Sequence, residues 1–218
     1  ENSTEGTVST TLDMLMNTPL HIGGEVELRI RQHLLGRMAT LGEVRRVYSH
    51  QQSLAQCRAW LEQRLSGVEQ VAVASNAEAA RLAAAENGAA AIAGDTAAEV
   101  YGLGVLMENI EDRPDNTTRF VIVGREMPGP SGRDKTSLLL SSRHQAGALQ
   151  SLLQPLSSHG VSMTRIESRP SRRRKWDYVF FVDIEGHRAD PDVAAALAEL
   201  EHAAAWCRVL GSYPVAIL

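Results

Sequence analysis

Three short polar clusters in this 218-residue chain hold the side chains most able to do chemistry. Glu1-Asn2-Ser3-Thr4-Glu5-Gly6 precedes a helix-like segment, Val8 to Met16. Tyr48-Ser49-His50-Gln51-Gln52 joins a strand end to a helix start, and Asp115-Asn116-Thr117-Thr118-Arg119-Phe120 enters a strand. Each puts hydroxyls, amides and main-chain N–H groups where a strand meets a loop or helix. A helix N-terminus attracts anions, because its free N–H groups and its dipole point at the ligand together. On residue chemistry alone the clusters are read first as caps and turns, which Ser, Thr, Asn and Asp fill routinely.

Other chemistries have weaker support. His21, His33 and His50 lack ligand spacing with nearby cysteines or carboxylates, so no metal site is expected. Ser49 and His50 are adjacent, so their side chains point apart and make a poor nucleophile–base pair. Gly102-Leu103-Gly104 lacks the rest of a dinucleotide fingerprint. The basic run Arg172 to Lys175 sits between two expected strands and is read as a solvated hairpin tip.

The composition narrows the classes further. The chain is 44% hydrophobic and 22% charged, which is globular rather than disordered composition. A net charge of −4 argues against a broadly phosphate-neutralising surface, so nucleic acid is not an expected partner. The Ala-rich stretches are broken by charge and none approaches the roughly 18 apolar residues of a membrane helix. Two cysteines, Cys57 and Cys207, lie in helical patterns far apart in sequence, and reduced thiols in a cytoplasmic protein are expected.

The elements that must position the clusters alternate between strand and helix. Val26, Leu28 and Ile30 alternate with charged residues and predict a half-buried strand, and Val44 to Tyr48 predicts a second. Gln51 to Leu65 reads as one helix with Leu54, Cys57, Leu61 and Leu65 on a stripe. Val68 to Ala74 is an expected strand, and Ser75 or Asn76 caps a helix running to Glu86, stopped by Asn87-Gly88. Ala89 to Ala93 is a short apolar strand, and Asp95 is expected to cap the helix after it. This order signals α/β units around a parallel or mixed sheet. Met127-Pro-Gly-Pro-Ser-Gly132 is a natural linker. Beyond it a strand (136–140), helix (146–158), two strands (161–166 and 178–184), helix (191–207) and last strand ending at Leu218 spell βαββαβ, the ferredoxin-like split unit.

Taken together and in order, these clusters resemble the motifs of prephenate dehydratase. The matching residues are Glu1 to Gly6, Ser49-His50 with Gln56-Cys57 on the following helix, and Thr118-Arg119-Phe120. The second half resembles the family's ACT regulatory domain, with Gly147-Ala148-Leu149 matching a first effector motif and Glu167-Ser168-Arg169-Pro170 a second. Tyr101 to Val123 and Met163 to Pro170 resemble the family's two signatures almost throughout. The departures are a Gly-Pro-x-Gly-Thr-Phe segment that the family carries upstream of Glu-Asn-Ser, Ala74 at an acidic position, and Gly160 and Ser162 where Asn or Asp is common. Glu1 rather than methionine opens the sequence, so an incomplete catalytic domain is expected.

The resemblance implies a two-lobed, periplasmic-binding-protein-like catalytic domain over 1–126, a linker over 127–132, and an ACT domain over 133–218. It implies a lyase that turns prephenate into phenylpyruvate in phenylalanine biosynthesis, without cofactor or metal. Thr118 has the role of acid, and Asn2, Ser3, Ser49, Gln56 and Arg119 form the substrate site. Because Arg119 follows Thr118 on a strand, its side chain belongs on the opposite face and is read as structural or orienting. The ACT domains of the family pair and bind phenylalanine, so a homo-oligomer, dimer or tetramer, is expected, with Gly147, Ala148, Leu149, Glu167, Ser168, Arg169 and Pro170 at the effector site. The alternatives are a non-catalytic amino-acid-sensing module, or part of a bifunctional enzyme with chorismate mutase activity upstream.

Overall fold

The structure, a computed structural model, describes residues 1–4, 6–142, 145–171 and 178–217. The basic run at 172–175 lies outside the described residues. The first elements are α1 (Ser9–Asn17), β1 (His21–Arg29), β2 (His33–Gly36), β3 (Arg46–His50), α2 (Gln51–Gln56), α3 (Arg58–Arg64) and β4 (Glu69–Val73). There follow α4 (Asn76–Ala85), β5 (Ala89–Ala93), α5 (Asp95–Tyr101), β6 (Gly104–Met107), β7 (Thr117–Gly124) and β8 (Asp134–Ser141). The chain ends with α6 (Ala148–Ser158), β9 (Met163–Pro170), β10 (Tyr178–Glu185), α7 (Pro191–Ala203) and β11 (Trp206–Pro214). No described helix is long and apolar enough to cross a membrane.

Packing groups the chain into two compact units. One comprises Asn2–Thr4 and Leu28–Thr118. Its five-stranded mixed sheet runs β4-β3-β5-β2-β6, with β3 parallel to β4 and β5, and β2 antiparallel to β5 and β6. The central strand β5 is buried at every residue, as its unbroken Ala-Ala-Ala-Ile-Ala run requires of a strand covered on both faces. Leu35, Tyr48 and Ala91 pack against α4 and α5 on one face. On the other face Leu34, Val47, Ala90 and Ile92 meet Cys57, Leu61 and Leu65.

The stripe along residues 54–65 is therefore real, but the expected single helix is two. Cys57 breaks it at φ −112°, ψ 16°, and its N–H is shared between the Ser53 and Leu54 carbonyls. A carboxylate distant in sequence explains the break, because Asp112 accepts from Ala59 N at 2.9 Å and Trp60 N at 3.1 Å and so caps α3. Asp112 N in turn donates to Gln56 O at 2.8 Å. Burial, then the charges of Asp112 and Glu111, push the Cys57 thiol up to about 12, so it stays a thiol at neutral pH. Ser75 caps α4 as expected, accepting from Glu78 N. Asp95 does not cap α5: it is the first helical residue, and its carboxylate lies 2.5 Å from His33 Nε2.

The second unit comprises Glu1, Glu5–Glu27 and Arg119–Leu218. Its four-stranded antiparallel sheet runs β11-β8-β10-β9, so the βαββαβ order closes as a ferredoxin-like fold. Leu138, Leu140, Val182 and Ile184 face α6 and α7, while Leu139, Phe181, Leu210 and Tyr213 face α1 and Ile22. Several expected bounds move here. Gly147, in the left-handed region at φ +75°, delays α6 to Ala148. The strand β9 continues through Pro170, which an edge strand tolerates because its missing N–H leaves no ladder bond unmade. The helix α7 stops at Ala203 and Cys207 lies on β11, which ends at Pro214, so neither cysteine is inside a helix. Both thiols are free.

The strand expected around Val26 exists, but the inward side changes along it. Val26 is 42% and Leu28 53% exposed although Ile22 on the same face is buried, and from Glu25 onward the buried residue is the one on the opposite face. Period-two alternation separates two faces without saying which meets the core. Here the inward face is chosen by charge. Glu25 accepts from Arg119 Nε at 2.5 Å and from Lys135 Nζ at 2.9 Å. Arg119 also donates to Asp183 Oδ2 at 2.8 Å and to Tyr213 Oη at 2.7 Å, and Ser137 Oγ donates to Asp183 Oδ1 at 2.5 Å. A buried carboxylate is tolerable when cations and hydrogen bonds compensate its lost hydration.

Burial acts to raise Glu25, but Lys135, Arg119 and the Ala216 N–H outweigh it and hold the carboxyl below its usual 4.5. A depressed acid contributes stability that is complete above the unfolded-state value and is lost as pH falls through the folded value. The free energy of unfolding is expected to be level from neutral pH to about 5 and to fall below that, with Glu25→Gln flattening the acid limb in denaturant titrations at stepped pH; an unchanged limb would remove Glu25 from the cause. Asp112→Ala is expected to cost about 0.5–2 kcal/mol, the usual worth of a helix cap, as read by urea unfolding. Unaltered stability would mean that α3 is held by something else.

Candidate active site

Asn2 and Thr118 form an isolated antiparallel bridge that lays the start of the chain beside β7. Ser3 N donates to Thr117 O at 2.8 Å and Thr117 N donates to Ser3 Oγ at 2.9 Å, so the Ser3 hydroxyl pins the main chain. Across the bridge Asn2 Nδ2 donates to Thr118 Oγ1 at 2.9 Å and to Asn116 Oδ1 at 2.8 Å. Thr4 N donates to Asn2 Oδ1 and Thr4 Oγ1 to Asn116 Oδ1. The Thr118 hydroxyl thus accepts from an amide, and among the described residues no group takes its own proton. Asn116 is 2% exposed and its Nδ2 has no partner among the described residues, leaving a second donor in the same cluster.

A second neutral group lies in the same unit. Ser49, fully buried at the end of β3, donates to Ile92 O at 2.8 Å and stands 3.0 Å from Asn76 Oδ1. Asn76 Nδ2 donates to Ser53 Oγ, and Gln32 Nε2 reaches both Ser53 Oγ at 3.2 Å and Gln56 Oε1 at 3.3 Å. Ser49 and Gln56 are therefore joined through Asn76, Ser53 and Gln32 rather than directly. His50 turns away, its Nδ1 accepting from Gln52 N to cap α2. The segment 30–32 runs between the two groups, since Ile30 N donates to Asn116 O and Gln32 N to Glu111 Oε2. The Gln32 and Glu111 Oε1 atoms are buried without a partner among the described residues.

Sequence reasoning missed Gln32, Ser53 and Asn76, and quoted Asn116 without giving it a role. Asn76 carried a signal read as helix capping, and it is free for Ser49 because Ser75 takes the cap. Gln32 carried none, for its place depends on a strand, β2, too short to show a period. Arg119 is where alternation puts it, in the ionic cluster with Glu25, Asp183 and Tyr213. Burial acts to lower its pKa, and Asp183, Tyr213 and Glu25 outweigh that, so the guanidinium is a permanent cation.

The residues expected at the effector site lie on the ferredoxin-like unit. Gly147 is the N-cap of α6, Ala148 and Leu149 open the helix, and Leu149 is 41% exposed. Glu167, Ser168, Arg169 and Pro170 occupy the end of the edge strand β9, with burial alternating along it.

A family model described as prephenate dehydratase matches residues 1–128, and one described as ACT domain matches residues 136–202. A bifunctional chorismate mutase/prephenate dehydratase of Stutzerimonas stutzeri is 53% identical over 219 residues, covering all of this chain and 60% of that protein. The chain spans about three-fifths of the length of three curated relatives that it matches. A solved prephenate dehydratase from Arthrobacter aurescens in complex with L-Phe is 37% identical, with TM-score 0.84, covering 96% of this chain and 71% of that one. Another, titled as GqqA, a novel type of quorum quenching acylase, is 35% identical with TM-score 0.86, covering 99% and 80%. The mixed α/β unit is periplasmic-binding-protein-like and the βαββαβ unit is an ACT fold. With a family model matched over more than half its length, the chain belongs to the prephenate dehydratase family.

Proposed function

We propose that this chain carries the decarboxylating dehydration of prephenate to phenylpyruvate, under feedback by L-phenylalanine at its ACT domain. The observation that supports this best is the Thr118 hydroxyl, which accepts from Asn2 and keeps a proton to give. In the reaction the bond to the ring carboxylate breaks and carbon dioxide leaves. Its electron pair enters the ring as the carbon–oxygen bond at the opposite end breaks, and the departing oxygen takes a proton. Prephenate dianion and one proton thus become phenylpyruvate anion, carbon dioxide and water. Aromatisation supplies the driving force, so the protein's part is a proton and a fixed geometry. A threonine is a weak acid in water, and it serves where an amide polarises it and water is excluded.

Asn2, Ser3, Ser49 and Gln56 belong to a neutral lining that holds the carboxylates and the hydroxyl by amide and hydroxyl groups. Neutral donors suit this reaction, because a full cation on the ring carboxylate would stabilise the anion that must leave. Arg119 is read as structural, its side chain bound to Glu25, Asp183 and Tyr213. The effector site is drawn from Gly147, Ala148, Leu149, Glu167, Ser168, Arg169 and Pro170. The domain division 1–126, 127–132 and 133–218 is supported by the family-model limits and by the irregular backbone between β7 and β8. A homo-oligomer, dimer or tetramer, fits the open edge of β9, and a cytoplasmic location fits the two free thiols.

In the natural protein, Thr118→Ala is expected to lower kcat for phenylpyruvate formation by about 10²–10⁴-fold, the worth of one positioned acid. A kcat within a factor of about three would overturn the assignment. Gly147→Asp is expected to abolish phenylalanine binding in calorimetry. Its backbone at φ +75° strains most side chains, and the added carboxylate enters the open space beside the α6 N-terminus. Retained binding would put the effector elsewhere.

A further inference from the structure

The effector motif on β9 has two faces with different contacts. Arg165, Glu167 and Arg169 are half-buried on one side, whereas Ile166, Ser168 and Pro170 are exposed on the other. The half-buried side forms a ladder against the first residues of the chain. Arg165 Nε donates to Glu1 Oε1 at 2.9 Å, and Arg165 Nη2 donates to Thr7 Oγ1 at 2.7 Å and Glu167 Oε2 at 2.5 Å. Thr7 Oγ1 donates to Glu167 Oε2 at 2.6 Å. Arg169 continues the ladder onto α1, with Nη1 donating to Ser9 Oγ at 2.7 Å and Nη2 to Asp13 Oδ1 at 2.9 Å.

The gripped segment is the one that carries Asn2. Glu1 immediately precedes Asn2, and Arg119 N donates to Glu1 O at 2.7 Å, one residue along from the Asn2–Thr118 bridge. We propose that the half-buried face of β9 transmits effector occupancy to the active site: phenylalanine, taken on the exposed face with Ser168 and Pro170, shifts β9, and the ladder from Arg165 to Arg169 carries the shift to Glu1, Thr7 and α1. Glu167 and Arg169 act here also as couplers, because Glu167 Oε2 is bonded to Arg165 and Thr7 and the two Arg169 Nη atoms to Ser9 and Asp13. Several short charge-assisted bonds on alternate residues of one strand form a contact that moves as a body. The device needs differential contacts in two states, and the paired grip supplies a contact that either state can make or lose.

This inference rests on the phenylalanine-regulated reading above, and the test separates the two. Hydrogen exchange is followed in the natural protein, Arg165→Met and Asp13→Ala, each with and without saturating L-phenylalanine, with unfolding midpoints recorded to exclude global loss of structure. Phenylalanine is expected to slow exchange at residues 147–150 in all three proteins. At residues 8–17 it is expected to change exchange by about fivefold or more in the natural protein and less than about twofold in both variants. Inhibition of phenylpyruvate formation at saturating phenylalanine is expected to weaken in the variants in the same proportion. A response at 8–17 and an inhibition that both variants retain in full would overturn the coupling role. A natural protein whose residues 147–150 do not respond would overturn the effector reading itself, and the coupling with it.

Discussion

One hydrogen-bonded pair, Asn2 on the first residues and Thr118 on β7, carries the site. It is a bridge of a single residue pair, yet it does three things. It orients the Asn2 amide, directs the Thr118 hydroxyl by occupying one of its acceptor positions, and brings Asn116 and Thr4 into the same cluster. A hydroxyl that accepts from an amide has its free proton pointed and polarised, which is what proton delivery to a leaving oxygen requires. The main-chain bonds of Ser3 to Thr117 and of Arg119 to Glu1 hold the register on either side. A slip of one residue would exchange Thr118 for Arg119 and put a cation where a neutral donor is needed.

The separation of neutral from charged groups follows from that register. Along β7 the side chains alternate, so Thr118 joins amides and hydroxyls while Arg119 joins Glu25, Asp183 and Tyr213. The neutral set is the one that the proposed reaction, in which an anionic carboxylate departs, calls for. The charged set is structural: Glu25 and Asp183 are buried, and each is compensated by a cation and by hydroxyl or amide donors, which is the condition for keeping charge inside a protein.

Fold likeness alone does not choose the reaction. A prephenate dehydratase with bound L-Phe and a protein titled as a quorum quenching acylase have nearly the same TM-score against this chain. What discriminates is the site, since function resides in groups mounted on a fold rather than in the fold. The neutral donors around Thr118 and the two motifs of the ACT unit are where the proposed reading is to be tested. The edge strand β9 adds to them, with one face open and the other tied to the chain's beginning.

The amino-acid sequence by itself determined the element types, the βαββαβ order of the second half and the motif residues, because periodicity, caps and turn chemistry are local. It determined that Thr118 and Arg119 face opposite ways, since alternation is a property of any strand. What it could not determine is which face meets the core. Val26 and Leu28 read as inward, and the choice went instead to Glu25 because two cations from other strands compensate it. Nor could it show that Asp112 breaks the helix at Cys57, that Cys207 belongs to a strand, or that Gln32, Ser53 and Asn76 link Ser49 to Gln56. Only the tertiary structure decided these, because each depends on a partner tens of residues away, and burial of a polar group is decided by the partner that compensates it, not by its neighbours in sequence.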